Sequence, residues 1–359
     1  MNMSGIERMI VGLIALAVVA GGFVWVRAEA ARYCRLIGVT AALTLVLIVL
    51  GAYVRLSDAG LGCPDWPGCY GNLTPAHSTA EISAAESVQP GGPVSMEKAW
   101  KEMVHRYLAM IVGSLIAAIM LCAWTYRAKW QRSPTLPTVI ALAVVFQAAL
   151  GAWTVTMLLK PVIVTSHLLG GIAILALLAS LLFRQSPNAV WTQVIHARKK
   201  MRWAGLIAIA VLFVQIVLGG WVSTNYAALA CADLPTCHGM LVPPMDFANA
   251  FHIVRPLGVG PNGELLTVEA LRAIHWAHRA GALITLLVVG GFALTLVNIA
   301  GGAKPGKMLL LALALQITLG ISNIWFSLPL PVAVAHNGVA AVLFVLLLLI
   351  NLRMAKSTH

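Results

Sequence analysis

Charged residues are scarce in this chain. Asp, Glu, Lys and Arg make up 10% of its 359 residues, against about 25% of an average soluble domain. Hydrophobic residues make up 60%, and the mean hydropathy is +0.88. One soluble core cannot bury that much apolar surface. The composition therefore excludes a soluble enzyme and predicts a polytopic protein of the lipid bilayer.

Acidic residues are the scarcer charged type, because 12 Asp and Glu stand against 24 Lys and Arg and leave a net charge of +12. Such a basic balance is also typical of nucleic-acid-binding proteins. Here, however, the basic residues do not cluster in aromatic-flanked patches. They follow the loops between apolar segments, as membrane topology requires, so we expect no nucleic-acid partner.

Nine apolar segments approach or reach the ~20 residues that cross a bilayer, which predicts an all-α integral membrane protein. Two connecting loops are long, 55–103 and 224–272. Fifteen of the Lys and Arg residues lie on the opposite side, which the positive-inside rule makes cytoplasmic. The N-terminus and both long loops are then outside, and the C-terminus is cytoplasmic. The segments are 9–26, 34–54, 104–125, 136–158, 162–183, 203–223, 273–298, 307–326 and 331–352.

The first segment has two interpretations. Arg8, the apolar run that follows it and Ala28-Glu29-Ala30 resemble a cleavable signal peptide. Cleavage would invert the other eight segments and contradict the distribution of basic residues. We therefore favour an uncleaved extra transmembrane helix within residues 1–33.

The chain contains an internal sequence repeat. Residues 49–54 match 217–222, residues 63–71 match 231–239, and residues 147–151 match 316–320. The repeat divides the chain into an N-terminal four-helix unit, 34–190, and a C-terminal four-helix unit, 191–359. Because four is an even number, both units have the same orientation, which predicts two parallel pseudo-symmetric four-helix bundles.

Four histidines recur at one predicted depth, near the starts of helices that run from outside to inside. They are His105 and His167 in the first unit and His278 and His336 in the second. An ionisable residue within a membrane span indicates function by default. Haem iron takes one imidazole on each face, whereas zinc and copper prefer further protein ligands. The pattern predicts one bis-histidine haem position in each unit.

The repeat breaks one turn before the first histidine of each unit. Glu102 stands there in the first unit and His275 in the second, where we expect it beside the ligand rather than on the iron. A carboxylate beside a porphyrin indicates proton chemistry, although a solvated helix start would also favour Glu102. Three arginines are candidate partners of haem propionates, or interfacial anchors: Arg55, Arg106 and Arg279.

Four of the six cysteines form two pairs in the long loops. Cys63 and Cys69, like Cys231 and Cys237, follow the pattern C-x-D-x-P-x-C-x-G. An oxidising compartment favours a disulfide in each loop. A redox-active pair and a four-cysteine zinc site are the alternatives left open.

These motifs together resemble the haem A synthase family of bacterial and mitochondrial membranes, over about nine-tenths of the chain. The family oxidises the C8 methyl group of haem O to a formyl group, by two successive hydroxylations and loss of water, and its product serves cytochrome oxidase. The residues that carry the resemblance are Gly51-Ala-Tyr-Val-Arg55-Leu, Gly60-Leu-Gly-Cys63-Pro-Asp-Trp-Pro-Gly-Cys69, Glu102-x-x-His105-Arg106, His167-Leu-Leu-Gly-Gly, His275-x-x-His278-Arg279 and His336-Asn337.

The resemblance implies a haem b cofactor between His278 and His336. It implies that haem O lies between His105 and His167, with Glu102 near the reacting methyl group, and that the first cysteine pair contributes to activity. Further expectations are the bacterial inner membrane, delivery of haem O by haem O synthase, an electron donor or acceptor, and an assembly of several copies. The family core has eight spans, so the first helix is a departure.

Three other classes compete with this interpretation. A dihaem b-type cytochrome carrying electrons from quinol would explain four histidines, but not Glu102 opposite His275. A transporter would explain the repeat, but its helices are usually broken at mid-membrane by Gly or Pro. A non-catalytic oxidase assembly factor is the third alternative.

Overall fold

The structure is a computed structural model that describes residues 5–185, 195, 199–260 and 263–356. Within these ranges it is all-helical, and its β-pairing is limited to isolated bridges in the loops. The α-helices are α1 (Gly5–Val26), α2 (Ala30–Leu56), α3 (Thr79–Val88), α4 (Met96–Thr125), α5 (Arg127–Trp130), α6 (Thr135–Thr156), α7 (Pro161–Gln185), α8 (Lys199–Thr224), α9 (Phe247–Ala250), α10 (Val268–Val297), α11 (Ala303–Trp325) and α12 (Leu330–Lys356).

Nine helices in the described ranges are long and apolar enough to cross a membrane: α1, α2, α4, α6, α7, α8, α10, α11 and α12. The predicted all-α membrane protein with nine spans is therefore confirmed. The remaining three helices are short and lie in the connections. The grouping of the spans into two bundles is compatible with the contacts given below.

Helices α4 and α10 begin earlier than their apolar segments. Ser95 caps α4 by accepting a hydrogen bond from the Lys98 N–H (3.3 Å), and Thr267 caps α10 by accepting one from the Ala270 N–H (3.2 Å). An acidic residue in each first turn adds a favourable interaction with the helix dipole. His105 and His278 consequently lie between about two and three turns inside their helices, deeper than hydropathy predicts.

The chain forms two compact units, and the division passes through α7. The first unit is Met1–Leu159 with Gly170–Ser186, and the second is Lys160–Leu169 with Pro187–His359. In the first, α4 contacts α1, α2 and α6. In the second, α8 contacts α10, α10 contacts α11, α11 contacts α12, and α12 contacts α8. That cycle is compatible with a four-helix bundle. The domain boundary at 190/191 stays a prediction.

Helix α1 is attached to the first unit near both of its ends. The Glu7 carboxylate accepts a hydrogen bond from the N–H of Leu73 in the first long loop (2.8 Å). At the other end, the Trp130 indole donates to the carbonyl of Ala28 (3.1 Å), and the ring of Phe23 stacks on that of Tyr126. These contacts place the start of α1 on the side of the long loop, as an additional span requires.

Candidate functional site

Three of the four histidine rings lie against a glycine of a neighbouring helix. A Cβ atom on each glycine would come within 3.0–3.1 Å of the ring Cε1 atom, closer than side chains normally pack. The glycines therefore create the space that the half-buried rings occupy. The pairs are Gly51 with His105, Gly219 with His278 and Gly320 with His336.

Two glutamine amides contact the imidazoles of the second unit. The Gln215 Nε2 atom lies 3.0 Å from His278 Nδ1 and donates to the His278 carbonyl at 3.0 Å. The Gln316 Nε2 atom lies 3.2 Å from His336 Nε2. The sequence analysis missed both residues, although residues 147–151 and 316–320 each begin with glutamine and end with glycine.

His167 lies in α7 and is half-buried. It belongs to the second compact unit, whereas His105 belongs to the first. The pairing of these two histidines around one porphyrin stays a prediction. So does the pairing of His278 with His336.

Glu102 is buried, with 5% of its surface exposed, and so does not lie at a solvated helix start. Its Oε2 atom accepts a hydrogen bond from the Cys63 N–H (2.9 Å), and its Oε1 atom accepts one from Arg106 Nη2 (2.7 Å). Because Arg106 is one turn further along α4, this is an i,i+4 ion pair with both side chains largely buried. The carboxylate is thereby fixed one turn from His105.

Arg106 also holds the first cysteine loop. Its Nη1 atom donates to the carbonyls of Asp65 (2.8 Å) and Gly68. Gly62 makes the approach of this loop possible, because a Cβ there would lie 2.5 Å from the Lys98 backbone carbon. The guanidinium thus joins loop and helix, and a propionate contact for Arg106 stays a prediction.

The second unit repeats this arrangement with His275 in place of the carboxylate. His275 is 4% exposed, and its Nδ1 atom accepts the Cys231 N–H (3.2 Å). Arg279 Nε lies 3.3 Å from His275 Nε2. Arg279 also donates to the carbonyls of Asp233 (2.8 Å), Thr236 (2.8 Å) and Cys231 (2.6 Å). Its predicted propionate contact is likewise untested.

Both cysteine pairs are closed as disulfides, Cys63–Cys69 and Cys231–Cys237. A redox role for either pair stays a prediction. The aspartate of the shared motif folds each loop. The Asp65 carboxylate accepts hydrogen bonds from the N–H groups of Tyr70 (2.6 Å) and Gly71 (2.7 Å). Sequence analysis assigned no role to this aspartate, although the repeated pattern contains it.

Asp233 has the same function in the second loop. Its carboxylate accepts hydrogen bonds from the Thr236 hydroxyl (2.5 Å) and from the N–H groups of His238 (2.6 Å) and Gly239 (2.9 Å). These bonds, that of Thr236 foremost, hold the pKa of Asp233 well below its usual value. Gly239 has a φ of +75°, which explains the glycine that ends the motif.

Arg55 lies in the last turn of α2, as predicted from the end of the apolar segment. Its side chain is 13% exposed and is 3.6 Å from the Asp58 carboxylate. Nearby, the Lys101 ammonium lies 5.3 Å from the centre of the Tyr53 ring and 2.6 Å from Glu97. Each of these two cations is thus close to a carboxylate of the protein, and a contact of Arg55 with a haem propionate stays a prediction.

The donor set fits an iron porphyrin better than a metal held by protein alone. Among the residues that the structure describes, no group of three or more His, Cys, Asp and Glu side chains could hold a metal ion. Zinc sites need three or four such ligands, and haem iron needs only two beyond the porphyrin ring. The buried Nδ1 atom of His336, which has no hydrogen-bond partner within the described ranges, adds to this fit.

A multi-pass helical protein that presents imidazoles from different helices has the donor set of a membrane haem protein. Residues 34–348 match the sequence model of the COX15-CtaA family, described as cytochrome oxidase assembly protein. The chain belongs to this family.

Curated relatives cover most of the chain. It is 44% identical over 322 residues to the heme A synthase of Shewanella oneidensis, which is 88% of this chain and 94% of the relative. It is 28% identical to the heme A synthase of Novosphingobium aromaticivorans, over 88% of this chain and 93% of the relative. The heme A synthase of a Chelativorans species is also 28% identical, over 83% and 84%. The resemblance found in the sequence is thus confirmed.

Proposed function

We propose that this protein is a haem A synthase. It oxidises the C8 methyl group of haem O to a formyl group, by two hydroxylations and loss of water, and so supplies haem A for cytochrome oxidase. The observation that carries the proposal is the 44% identity to the Shewanella oneidensis heme A synthase across 88% of the chain. The Glu102–Arg106 pair beside His105 supplies a matching site.

In this proposal haem O is the substrate of a site formed by His105 and His167, called the substrate site below. Glu102 acts next to the reacting methyl group. Its two oxygens are held by Arg106 and by the Cys63 N–H, and a carboxylate has about four lone-pair sites, so acceptor capacity remains. The carboxylate can therefore accept a proton or stabilise positive charge that develops on the substrate.

His278 and His336 would hold a resident haem b, and this pair is called the resident site below. Haem b supplies one-electron transfer when it is bound by an imidazole on each face. The Gln215 amide fixes the His278 ring from α8, and Arg279 fixes the adjacent His275. Haem O synthase as the source of substrate, an external electron donor or acceptor, and assembly of several copies belong to the same proposal.

The proposed location is the bacterial inner membrane, with the N-terminus and both long loops outside and the C-terminus in the cytoplasm. The distribution of basic residues supports this orientation, and the Glu7 contact with Leu73 supports a common side for the start of α1 and the first loop. Labelling of an introduced cysteine at Ser87 by a membrane-impermeant maleimide in intact spheroplasts tests it. A cytoplasmic loop would stay unlabelled until lysis.

The test of the function is haem extraction from membranes of a host that makes haem O. Wild-type protein should yield haem A or its hydroxylated intermediate, identified by chromatography and mass spectrometry. Glu102→Gln should yield neither while retaining its haem b. Two equivalents of haem b and no modified porphyrin from the wild type, with haem O present, would instead establish a dihaem electron carrier.

A further inference from the structure

Four spanning helices carry a short motif near their C-terminal ends. Three begin it with glutamine and end it with glycine four residues later, on the same helix face. The fourth begins with leucine. The segments are Leu47–Gly51 in α2, Gln147–Gly151 in α6, Gln215–Gly219 in α8 and Gln316–Gly320 in α11.

In the second unit the glycine and the glutamine act on the same ring. Gly219 receives the Cε1 edge of His278 while the Gln215 amide lies 3.0 Å from its Nδ1 atom. Gly320 likewise receives the Cε1 edge of His336, whereas the Gln316 amide lies 3.2 Å from the other ring nitrogen, Nε2. Each ring is thereby fixed in position by the glycine and in rotation by the amide.

Gly281 restricts Gln215 further. A Cβ on this residue, one turn after His278, would collide with the Gln215 Oε1 atom. The glutamine side chain therefore lies flat on α10 in a space that only glycine provides. Core packing alone does not explain this glutamine, because an apolar side chain would fill the same space without the cost of a buried amide.

The amide oxygens show what the glutamines are for. Gln215 Oε1 and Gln316 Oε1 are buried and have no hydrogen-bond partner among the described residues. A buried acceptor without a donor is costly. An imidazole that binds iron through one nitrogen carries a proton on the other, and this N–H needs an acceptor. Rotation of the Gln316 amide would present its oxygen to that proton, and rotation of the Gln215 amide would do so in exchange for its bond to the His278 carbonyl.

The first unit differs at the corresponding position of α2. Leu47 precedes Gly51 as Gln215 precedes Gly219, and Gly51 receives the His105 ring in the same way. A leucine side chain has no amide to offer. A substrate site must admit haem O and release its product, whereas a resident haem must stay bound.

We propose that Gln215 and Gln316 are positioning residues that retain the resident haem by holding its two imidazoles. Leu47 stands where the second unit has Gln215, and because it has no amide to hold His105, the porphyrin of the substrate site stays exchangeable. This inference rests on the proposed function for the assignment of the two sites. Its readouts are haem release and spectra, which do not depend on turnover.

The experiment compares Gln215→Leu and Gln316→Leu with wild type and with Gln131→Leu, an exposed glutamine outside the spans. Haem b release from purified protein to excess apomyoglobin is followed by absorbance. Each of the two variants should release haem about three- to tenfold faster, the equivalent of one net hydrogen bond. The low-spin signal in electron paramagnetic resonance should shift, because the imidazole planes are no longer held.

The converse variant is Leu47→Gln, with Val46→Gln, at an exposed position of α2, as its control. Leu47→Gln should raise the amount of porphyrin that copurifies with the substrate site, and Val46→Gln should not. Unchanged release and unchanged resonance in both glutamine variants would overturn the inference, as would equal porphyrin in the two α2 variants. If wild type makes no haem A, the proposed function fails, whatever these release rates are.

Discussion

The two cysteine loops are held by the same contacts but with opposite chemistry. In each unit the N–H of the first cysteine donates to a side chain one turn before a histidine, and an arginine one turn later joins that side chain to the loop carbonyls. In the first unit the side chain is the Glu102 carboxylate, which neutralises Arg106. In the second it is His275, and Arg279 forms no ion pair within the described ranges.

The difference shows that anchoring of the loop does not depend on which acceptor is used. A loop can be anchored equally well by a carboxylate or by an imidazole, since both accept a hydrogen bond from a backbone N–H. The choice of acceptor instead decides whether a carboxylate or an imidazole lies one turn before the histidine. The first unit pairs a carboxylate with a cation, and the second places a cation beside an imidazole.

The largest effect is expected from making the first unit like the second. Glu102→His should keep the bond to the Cys63 N–H but lose the anionic carboxylate and its ion pair with Arg106, and product formation should fall about 100-fold or more. Haem extraction and mass spectrometry measure the product, and thermal unfolding in detergent checks the fold. The reciprocal His275→Glu variant should retain most activity and its haem b. Haem A at the wild-type level from Glu102→His would show that the comparison has no catalytic meaning.

Removing one disulfide at a time should have the next largest effect. Loss of either short cross-link costs about 2 kcal/mol of loop stability. Replacing Cys63 and Cys69 by Ala should reduce product formation about tenfold. This factor corresponds to about 1.4 kcal/mol, which is the part of the lost loop stability that we expect to appear as poorer positioning of Glu102. Replacing Cys231 and Cys237 should weaken haem b retention instead. Equal losses of activity and of haem in both double variants would contradict the division of roles.

A smaller effect concerns pH. The depressed pKa of Asp233 means that its stabilisation is complete above the unfolded value of about 3.9 and is lost only as pH falls towards the folded pKa. The second loop should therefore keep its structure from pH 7 to about pH 4. Asp233→Asn should open the loop at every pH and abolish its acid dependence. Limited proteolysis of the loop measures both, and acid opening above pH 5 in wild type would refute the assignment.

The smallest effect should be equal in the two units. Ser95→Ala and Thr267→Ala each remove the cap of a histidine-bearing helix and should each cost about 1 kcal/mol. Chemical denaturation in mixed micelles, followed by helical circular dichroism, gives the free energies. A much larger loss for one cap would show that one unit relies more on its helix start than the other.

The spans and the candidate residues could be predicted because hydropathy and the repeat depend on residue type alone. The starts of α4 and α10 could not be placed from hydropathy, since their first turns are polar and are set by Ser95 and Thr267. Glu102 was singled out by its place in the repeat. Its bond to the Cys63 N–H was not foreseen, because only folding of the loop brings that N–H to α4.

The glutamines show a second limit of the sequence. Gln215 and Gln316 are polar residues in apolar helices, which was a visible signal. Their contacts depend on glycines one turn away and on neighbouring helices, and no spacing rule gives these. Arg106 and Arg279 were predicted from their sequence neighbours to be propionate partners or interfacial anchors, and both interpretations remain predictions. The structure shows them bound to loop carbonyls that are distant in sequence.

The disulfide that closes the first loop has a consequence for biogenesis. The Cys63 N–H that holds Glu102 belongs to a cross-linked loop, so the bond between Cys63 and Cys69 restrains the carboxylate as well as the loop. With the proposed topology, this bond forms after translocation, and its electrons pass to the cell's thiol-oxidising system. Newly inserted chains would thus carry all their spans before Glu102 is fully restrained, and this step of maturation would lie outside the membrane.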